Sequence, residues 1–401
     1  MASRDVLAAT GAALRGPGPG DLVGGVTPGV VALPESVEEI AAVLRACAGA
    51  GLAVVPAGGG TKLHWGAPPE RCDVLLDLCC LNRVLEHAAG DLVVRVQAGV
   101  TVDALAATLG GKGQELALDV PFDSGATVGG TLAVGAAGPR SFRYGAARDL
   151  LIGVTVVLAD GTVAKSGGKV VKNVAGYDLG KLFTGSYGTL GVIAEAAFRL
   201  HPLPARRRWL TAELAAGEVT GGLVAALAAS QAEPSAVEVD RPAGGRVALA
   251  ALVEGEAAEE RALAVRDLLP GTADGEVGDT APAWWGLLPG ERVLVEARFP
   301  PASTAAVLAA AEEAGFALRG SPVSGRAWLT TRDAGERELR EAVTRLRGRV
   351  EGEGGRVTVP ASPYEGVDRW GRVGALPLMR RVKERFDPGR VMSPGRFVGG
   401  I

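Results

Sequence analysis

The stretch SGGKVVKNVAGYDLGKLFTGSYGTLGVI occupies residues 166–193 and combines frequent glycine with clustered lysine. Four of the seven lysines of the chain lie within it or directly before it, namely Lys165, Lys169, Lys172 and Lys181. Because the chain otherwise uses arginine for positive charge, this cluster indicates a basic surface near an anionic ligand. The alternative is that each lysine is an ordinary solvated residue.

A second glycine segment, PAGGGTK at residues 56–62, follows an apolar run at residues 52–56 that predicts a buried strand. Three consecutive glycines allow backbone N–H groups to turn inward and bind an anion, because no side chain stands in the way. The spacing matches neither the GxxxxGK[ST] phosphate loop nor a GxGxxG turn that opens a long helix. The segment is predicted either to hold a phosphate in another manner or to be a plain surface turn.

A third segment, PFDSGATVGG at residues 121–130, has small residues at nearly every step, so a flat ligand could lie against its backbone. Thr127 is placed to cap a helix whose first amides would face a phosphate. The alternative is a loop that only packs tightly against its own sheet.

The overall composition excludes several classes of protein. Glycine accounts for 59 of 401 residues without a triplet period, and 47% hydrophobic with 22% charged residues is ordinary for a folded chain. The net charge of −3 leaves no basic surplus, which argues against nucleic acid as a ligand. Four cysteines without metal-ligand spacing predict no metal site and reduced thiols in a cytoplasmic protein. No apolar run approaches the length of a membrane span, so membrane association is expected only at the inner face and through partners.

The composition also changes near residue 205, since 33 of the 59 glycines precede this point and 25 of the 35 arginines follow it. The Pro-Leu-Pro stretch at residues 202–204 and the consecutive arginines at 206–208 therefore predict a linker between two domains. Before it, Ser36 and Glu39 predict the start of an amphipathic helix that ends at Gly49 and Gly51. Asp160-Gly161 predicts a tight hairpin. After residue 205, strand and helix patterns alternate, which predicts an α+β sandwich.

The three glycine segments, in their order along the chain (56–62, 121–130 and 166–193), closely resemble the FAD-binding domain of the vanillyl-alcohol oxidase and p-cresol methylhydroxylase (PCMH) family. The resemblance is most specific at KNVAGYDL, residues 172–179. Within it, the chain looks most like the family of small E subunits of bacterial glycolate oxidase complexes. The resemblance implies an α+β fold with four parts. These are an N-terminal segment at 1–25, a two-subdomain PCMH-type FAD-binding domain at 26–204, an α+β sandwich cap domain at 205–362, and a C-terminal helix and turn at 363–401 that pack back on the FAD domain.

The resemblance also implies which residues bind FAD. The first of these segments along the chain would bind the diphosphate through backbone amides, the second would follow the ribityl chain and flavin ring, and the third would approach the flavin and hold the adenine. The predicted cofactor-binding residues are Ala57, Gly58, Gly59, Gly60, Thr61, Lys62, Pro121, Ser124, Gly125, Thr127, Gly129, Gly130, Lys172, Gly176, Tyr177, Asp178, Gly191, Val192 and Ile193. Many relatives attach FAD covalently through a histidine in the first glycine loop. Thr61 and Lys62 follow the glycines here, so noncovalent binding is predicted.

A catalytic base is harder to predict. Relatives that oxidise hydroxy acids unaided use paired histidines in the C-terminal domain, whereas this chain has only His64, His87 and His201. The weak candidates for a proton-handling group are Tyr177, Asp178 and His64. Asp178 is equally suited to cap a helix that begins at Leu179, and His64 to be a plain loop residue.

The resemblance therefore implies an FAD-binding oxidoreductase subunit that acts on CH–OH groups in a complex oxidising a 2-hydroxy acid, glycolate to glyoxylate. Its partners would be a larger FAD-linked oxidase subunit and an iron–sulfur subunit. Two alternatives stay open, namely a stand-alone FAD-dependent oxidoreductase for another hydroxylated substrate and a non-catalytic assembly subunit.

Overall fold

A computed structural model describes residues 3–121, 125–168, 177–271, 274–332 and 334–401. The chain divides into two compact units, of which unit 1 comprises residues 1–136, 146–203 and 372–401, and unit 2 comprises residues 137–145 and 204–371. The sequence-based boundaries differ from this division in two places. Residues 137–145 belong to unit 2 although they lie within the predicted FAD domain, and residues 363–371 belong to unit 2 rather than to the C-terminal segment.

The described residues form both strands and helices along the whole chain. The strands are β1 Ala13–Arg15, β2 Val30–Leu33, β3 Val54–Ala57, β4 Val74–Asp77, β5 Val84–Ala88, β6 Val93–Gln97, β7 Gln114–Glu115, β8 Leu151–Val157, β9 Val163–Gly167, β10 Val192–Arg199, β11 His201–Pro202, β12 Arg207–Leu214, β13 Ala236–Arg241, β14 Val247–Glu254, β15 Gly275–Gly278, β16 Leu294–Arg298, β17 Ala317–Ser321, β18 Arg326–Thr330 and β19 Arg356–Ala361. The α-helices are α1 Ser3–Leu7, α2 Val37–Ala50, α3 Val102–Gly110, α4 Val128–Val134, α5 Ser141–Tyr144, α6 Ala147–Leu150, α7 Leu179–Phe183, α8 Gly221–Ala229, α9 Ala258–Arg266, α10 Thr304–Glu313, α11 Glu336–Gly352 and α12 Leu376–Phe386. Short 3-10 turns lie at Pro19–Asp21, Ala89–Asp91, Ala216–Glu218, Pro301–Ser303 and Val398–Gly400.

Unit 1 contains a small sheet in the order β1-β2-β4-β3, in which β2, β4 and β3 run parallel. Helix α2 connects β2 to β3 and begins as predicted, because the Ser36 side chain accepts a hydrogen bond from the Glu39 N–H. Gly49 lies inside this helix, which corrects the predicted end. Gly51, with φ of 64°, is the residue that terminates it.

A five-stranded antiparallel sheet, β5-β6-β10-β8-β9, completes the main part of unit 1. The predicted hairpin at Asp160-Gly161 joins β8 to β9 and is confirmed. Helix α12 lies within the predicted C-terminal segment and packs Val382 and Phe386 against the unit 1 core.

Unit 2 is built on an eight-stranded antiparallel sheet in the order β15-β12-β14-β13-β17-β18-β16-β19. Helices α8 to α11 share one apolar core with this sheet, so the α+β prediction is confirmed. The sequence patterns did not predict β12, β15, β17 or α8. Strand β12 begins at Arg207, where consecutive arginines were interpreted as a linker.

Candidate functional site

The glycine segment at residues 56–62 forms a turn at the carboxyl end of β3, the position at which ligands bind in parallel sheets. Gly60 has a φ of +75°, which favours glycine because a Cβ is strained in that region. Among the described residues, no acceptor pairs with the backbone N–H groups of Gly58, Gly59 or Gly60. The turn therefore presents three amide donors to a ligand.

Gly125 and Thr127, in the glycine segment at residues 121–130, lie directly against the glycine turn at residues 58–60. A Cβ added to Gly58 would lie 2.0 Å from the Thr127 Oγ1 atom, and one added to Gly59 would lie 1.7 Å from the carbonyl oxygen of Gly125. Real Cβ atoms do not approach so closely, so both positions require glycine. Thr127 caps α4 as predicted, accepting a hydrogen bond from the Gly130 N–H.

The third contributing segment covers residues 186–193. Tyr187 has a positive φ of 56°, unusual for a residue with a side chain, and its N–H donates to the Ala133 carbonyl oxygen. Ser186 is buried, and its hydroxyl has no hydrogen-bond partner within the described part of the chain. Gly191, with φ of +149°, leads into β10 where a Cβ would lie 2.6 Å from the Val157 carbonyl oxygen.

These segments surround a pocket within unit 1. Its lining combines backbone of the glycine segments with apolar and a few polar side chains. The lining residues are Pro56, Ala57, Gly58, Gly59, Gly60, Thr61, Lys62, Leu63, Leu78, Ala98, Thr127, Gly129, Gly130, Ala133, Val134, Ser186, Tyr187, Gly188, Gly191, Ile193 and Arg396.

Two basic side chains line this pocket. Lys62 is 8% exposed, and its Nζ donates to the Thr61 hydroxyl at 3.0 Å. Burial lowers the pKa of Lys62 to about 7, because desolvation disfavours the charged amine. Arg396 is 4% exposed, and its guanidinium donates to the carbonyl oxygens of Leu63 and Trp65. An anionic ligand is the complement of such a pocket.

The pocket brings together most, but not all, of the predicted cofactor residues. Ala57 to Lys62, Thr127, Gly129, Gly130, Gly191 and Ile193 line it. Pro121, Gly125 and Val192 stand in the same segments without lining it, whereas Ser124, Lys172 and Gly176 lie outside the described residues.

The three candidate catalytic residues lie elsewhere on unit 1. Tyr177 is 93% exposed, and the Asp178 carboxylate caps α7 by accepting from the Lys181 N–H. His64 is exposed and does not line the pocket. The helix-cap alternative for Asp178 is confirmed.

Sequence reasoning missed Ser186, Tyr187 and Arg396. Ser186 and Tyr187 lie inside the stretch that resembles the flavoprotein family, so the motif itself was an available signal. Arg396 lies 331 residues beyond Trp65, and only the tertiary fold reveals their contact.

A glycine turn at the end of a parallel strand, with buried positive charge nearby, is typical of sites that bind the phosphates of a dinucleotide. The model of the FAD binding domain family matches residues 28–167 of this chain. The assignment of FAD as cofactor is thereby confirmed.

Several proteins similar to this chain are named as enzymes of hydroxy acids. It is 34% identical over 216 residues to glycolate oxidase subunit GlcD of Bacillus subtilis, a match that covers 54% of this chain and 46% of that protein. It is 38% identical to D-2-hydroxyglutarate dehydrogenase of Xanthomonas citri pv. viticola, over 44% of this chain and 38% of that protein. D-lactate dehydrogenase of Anaerostipes hadrus is 37% identical, over 46% of this chain and 38% of that protein. The chain thus spans less than half the length of these relatives.

Solved structures share the fold over nearly the whole chain. Physcomitrella patens BBE-like 1 has a TM-score of 0.69 at 15% identity, covering 98% of both chains. An alkyldihydroxyacetonephosphate synthase has a TM-score of 0.68 at 18% identity, covering 92% of this chain and 78% of the other. At these identities the likeness shows the fold alone.

Two features are absent from the described part of the chain. No helix there combines the length and apolarity needed to span a membrane. No cluster of three or more His, Cys, Asp or Glu side chains there could hold a metal ion.

Proposed function

We propose that the pocket of unit 1 binds FAD noncovalently and that the chain is an oxidoreductase subunit acting on a 2-hydroxy acid. The observation that carries the proposal is the glycine turn at residues 58–60, whose amides have no acceptor among the described residues and which packs against the Thr127 segment. This arrangement fits the diphosphate of a dinucleotide, which needs close backbone approach and several donors.

The residues of the pocket have distinct parts in this proposal. The amides of Gly58 to Gly60 bind diphosphate oxygens, and Lys62 and Arg396 balance their charge. The buried Ser186 hydroxyl donates to a polar atom of the cofactor, which accounts for its lack of a hydrogen-bond partner among the described residues. When bound, FAD supplies the acceptor for the two electrons that a 2-hydroxy acid loses on becoming a 2-oxo acid.

The assignment to a complex is proposed from the distribution of histidine. The three histidines of the chain, His64, His87 and His201, all precede residue 204, so the sequence of unit 2 contains none. Since hydroxyl oxidation needs a base of near-neutral pKa, we propose that a larger flavoprotein subunit supplies or completes the substrate site. The electrons would then leave through an iron–sulfur subunit. Glycolate is the proposed substrate because the first relative above is named a glycolate oxidase subunit.

The dehydrogenase relatives favour a second candidate, a stand-alone enzyme for D-lactate or D-2-hydroxyglutarate. The test is to purify the chain alone, measure bound flavin, and follow reduction of an artificial acceptor with glycolate, D-lactate and D-2-hydroxyglutarate. Acid-releasable FAD with negligible turnover that rises on adding co-purified partner chains is the result expected for a subunit. Full turnover by the isolated chain would establish the second candidate instead. A chain that retains no FAD would contradict both.

A further inference from the structure

The turn that follows helix α12, residues 387–397, contacts segments on two sides of the FAD pocket. We name it the C-terminal clasp. It lies in unit 1, although more than 180 residues of chain separate it from the nearest pocket segment in sequence. It makes hydrogen bonds to the residues around the glycine turn and a ring contact with Tyr187.

On one side, the clasp extends the sheet at β3. The Val54 N–H donates to the Val391 carbonyl oxygen at 2.8 Å, and the Ser393 N–H donates to the Val54 carbonyl oxygen at 2.9 Å. Arg396 then reaches the segment directly after the glycine turn, where its guanidinium donates to Trp65 at 2.6 Å and to Leu63 at 3.2 Å. The clasp therefore holds the chain on both sides of the glycine segment at residues 56–62.

On the other side, the clasp contacts residues 187–189. The ring of Phe397 stacks on the Tyr187 ring, with centroids 5.4 Å apart and planes inclined by 29°. The Lys383 Nζ, on the helix that carries the clasp, donates to the Thr189 carbonyl oxygen at 2.8 Å. The strained φ of Tyr187 is thus held from outside the segment that contains it.

A buried ion pair locks the clasp itself. The Lys383 Nζ lies 2.6 Å from the Asp387 Oδ2 atom and also donates to the Met392 carbonyl oxygen at 2.8 Å. The Asp387 carboxylate accepts from the Val391 and Met392 N–H groups at 2.9 and 2.8 Å. A buried pair of this kind adds little net stability compared with apolar side chains, but it dictates one conformation of the groups bonded to it.

We propose that the C-terminal clasp sets the affinity of the pocket for FAD. Lys383 and Asp387 are positioning residues that hold the turn, and Arg396, which lines the pocket, is a cofactor-binding residue whose positive charge would attract the diphosphate. The inference rests on the proposed assignment of the pocket to FAD and is independent of the substrate and of any partner chain.

The first experiment tests Arg396 by titrating the flavin-free full chain with FAD and following flavin fluorescence. Arg396→Met is expected to raise the Kd at least about tenfold, the usual effect of losing charge-assisted hydrogen bonds. Arg396→Lys, which keeps the charge, should recover part of this loss. Arg381→Met is the matched control, since Arg381 is exposed on α12 outside the clasp. An unchanged Kd in Arg396→Met would overturn the role of Arg396.

The second experiment separates positioning from simple stability. Asp387→Asn and the double variant Lys383→Met/Asp387→Leu are compared for thermal midpoint without FAD and for Kd. The double variant is expected to recover the midpoint by apolar packing while the Kd stays raised about tenfold, because Val391 and Met392 have lost their acceptor. Recovery of the midpoint and the Kd together would overturn the positioning role. If the double variant fails to fold, the FAD dissociation rate of Asp387→Asn decides, and a wild-type rate counts against the clasp. Wild-type chain that binds no FAD would instead refute the proposed pocket.

Discussion

Polar groups are buried in both units of the chain, but they find their partners in different ways. In unit 1, the amides of Gly58, Gly59 and Gly60 and the hydroxyl of Ser186 have no partner among the described residues, and all of them line one pocket. In unit 2, the buried carboxylates of Glu254 and Glu296 are each met by arginine.

The paired carboxylates of unit 2 show what a self-contained polar cluster looks like. Glu254 accepts from the Tyr144 hydroxyl and the Arg207 Nε, both at 2.9 Å, with Arg140 3.8 Å away. Burial alone would raise the pKa of Glu254, but these partners outweigh it and hold the pKa below its usual range. Glu254 is therefore stabilised by partners of its own unit, as the Lys383–Asp387 pair is in unit 1. The glycine amides and the Ser186 hydroxyl at the unit 1 pocket lack such partners among the described residues, which supports the proposal that the cofactor binds there.

The largest expected effect comes from disrupting the contact between the glycine turn at residues 58–60 and Gly125. In Gly59→Ala, the added Cβ would overlap the Gly125 carbonyl oxygen at 1.7 Å, so the segments must separate. We expect FAD affinity to fall about a hundredfold, equivalent to about 3 kcal/mol of overpacking. Flavin titration of the isolated chain measures this. Gly49→Ala is the control, because a Cβ there meets nothing within 4 Å. Wild-type affinity in Gly59→Ala would show that the segments need not lie so close.

A smaller effect, confined to unit 2, is expected from Glu254→Gln. Removing one partner of a buried ion-pair cluster should lower the free energy of unfolding by about 3 kcal/mol, while the Kd for FAD changes by less than about twofold. Five of the six tryptophans lie in unit 2, so tryptophan fluorescence during urea unfolding reports on this unit. Exposed Glu259, which pairs with Arg208, provides the control as Glu259→Gln. A large rise in the Kd for FAD would show that Glu254 of unit 2 affects cofactor binding as well as the stability of its own unit.

The same cluster gives a pH dependence. Because the pKa of Glu254 is lowered in the folded state, its stabilisation is present above the usual glutamate pKa and is lost as the pH falls below it. The unfolding of unit 2 should therefore become easier in acid, and Glu254→Gln should flatten this slope.

Local sequence signals predicted the parts of the site that are local. Ser36, Thr127 and Asp160-Gly161 have their predicted roles, because a cap or a hairpin turn depends on residues a few positions apart. The glycine turn at residues 58–60 was predicted for the same reason, since its conformation follows from the absence of side chains.

The family resemblance implied that the C-terminal helix and turn pack back on the FAD domain, but the individual contacts between distant residues were beyond local sequence reasoning. No pattern near Arg396 indicates that it binds the carbonyl oxygens of Leu63 and Trp65. Lys383 would be interpreted as a surface lysine on an amphipathic helix, yet it is buried. The consecutive arginines from Arg206 were interpreted as a linker, whereas they lead into β12, whose apolar side chains alternate toward the unit 2 core.

A further prediction concerns Lys62 and tests whether the unit 1 pocket binds an anion. Burial lowers the pKa of Lys62 to about 7, so the apoprotein loses this positive charge as the pH rises above 7. A bound diphosphate favours the protonated amine, and binding should then take up a proton. FAD affinity is expected to fall by up to about tenfold per pH unit between about 7 and 9. Titrations across this range measure the slope, which Lys62→Met should abolish. An equal slope in both proteins would assign the titrating group elsewhere.

The smallest effect is expected at Asp178, which caps a helix just as Thr127 does but outside the pocket. In Asp178→Ala, helix α7 loses the acceptor for the Lys181 N–H, which should cost about 1 kcal/mol of unfolding free energy. Thr127→Ala should cost a similar amount but also weaken FAD binding, because the Thr127 side chain packs against Gly58 at the pocket. Thermal unfolding and flavin titration of the two variants separate the roles. A tenfold weaker FAD affinity in Asp178→Ala would assign Asp178 to the cofactor, as the family resemblance implies, and would extend the FAD site beyond the pocket.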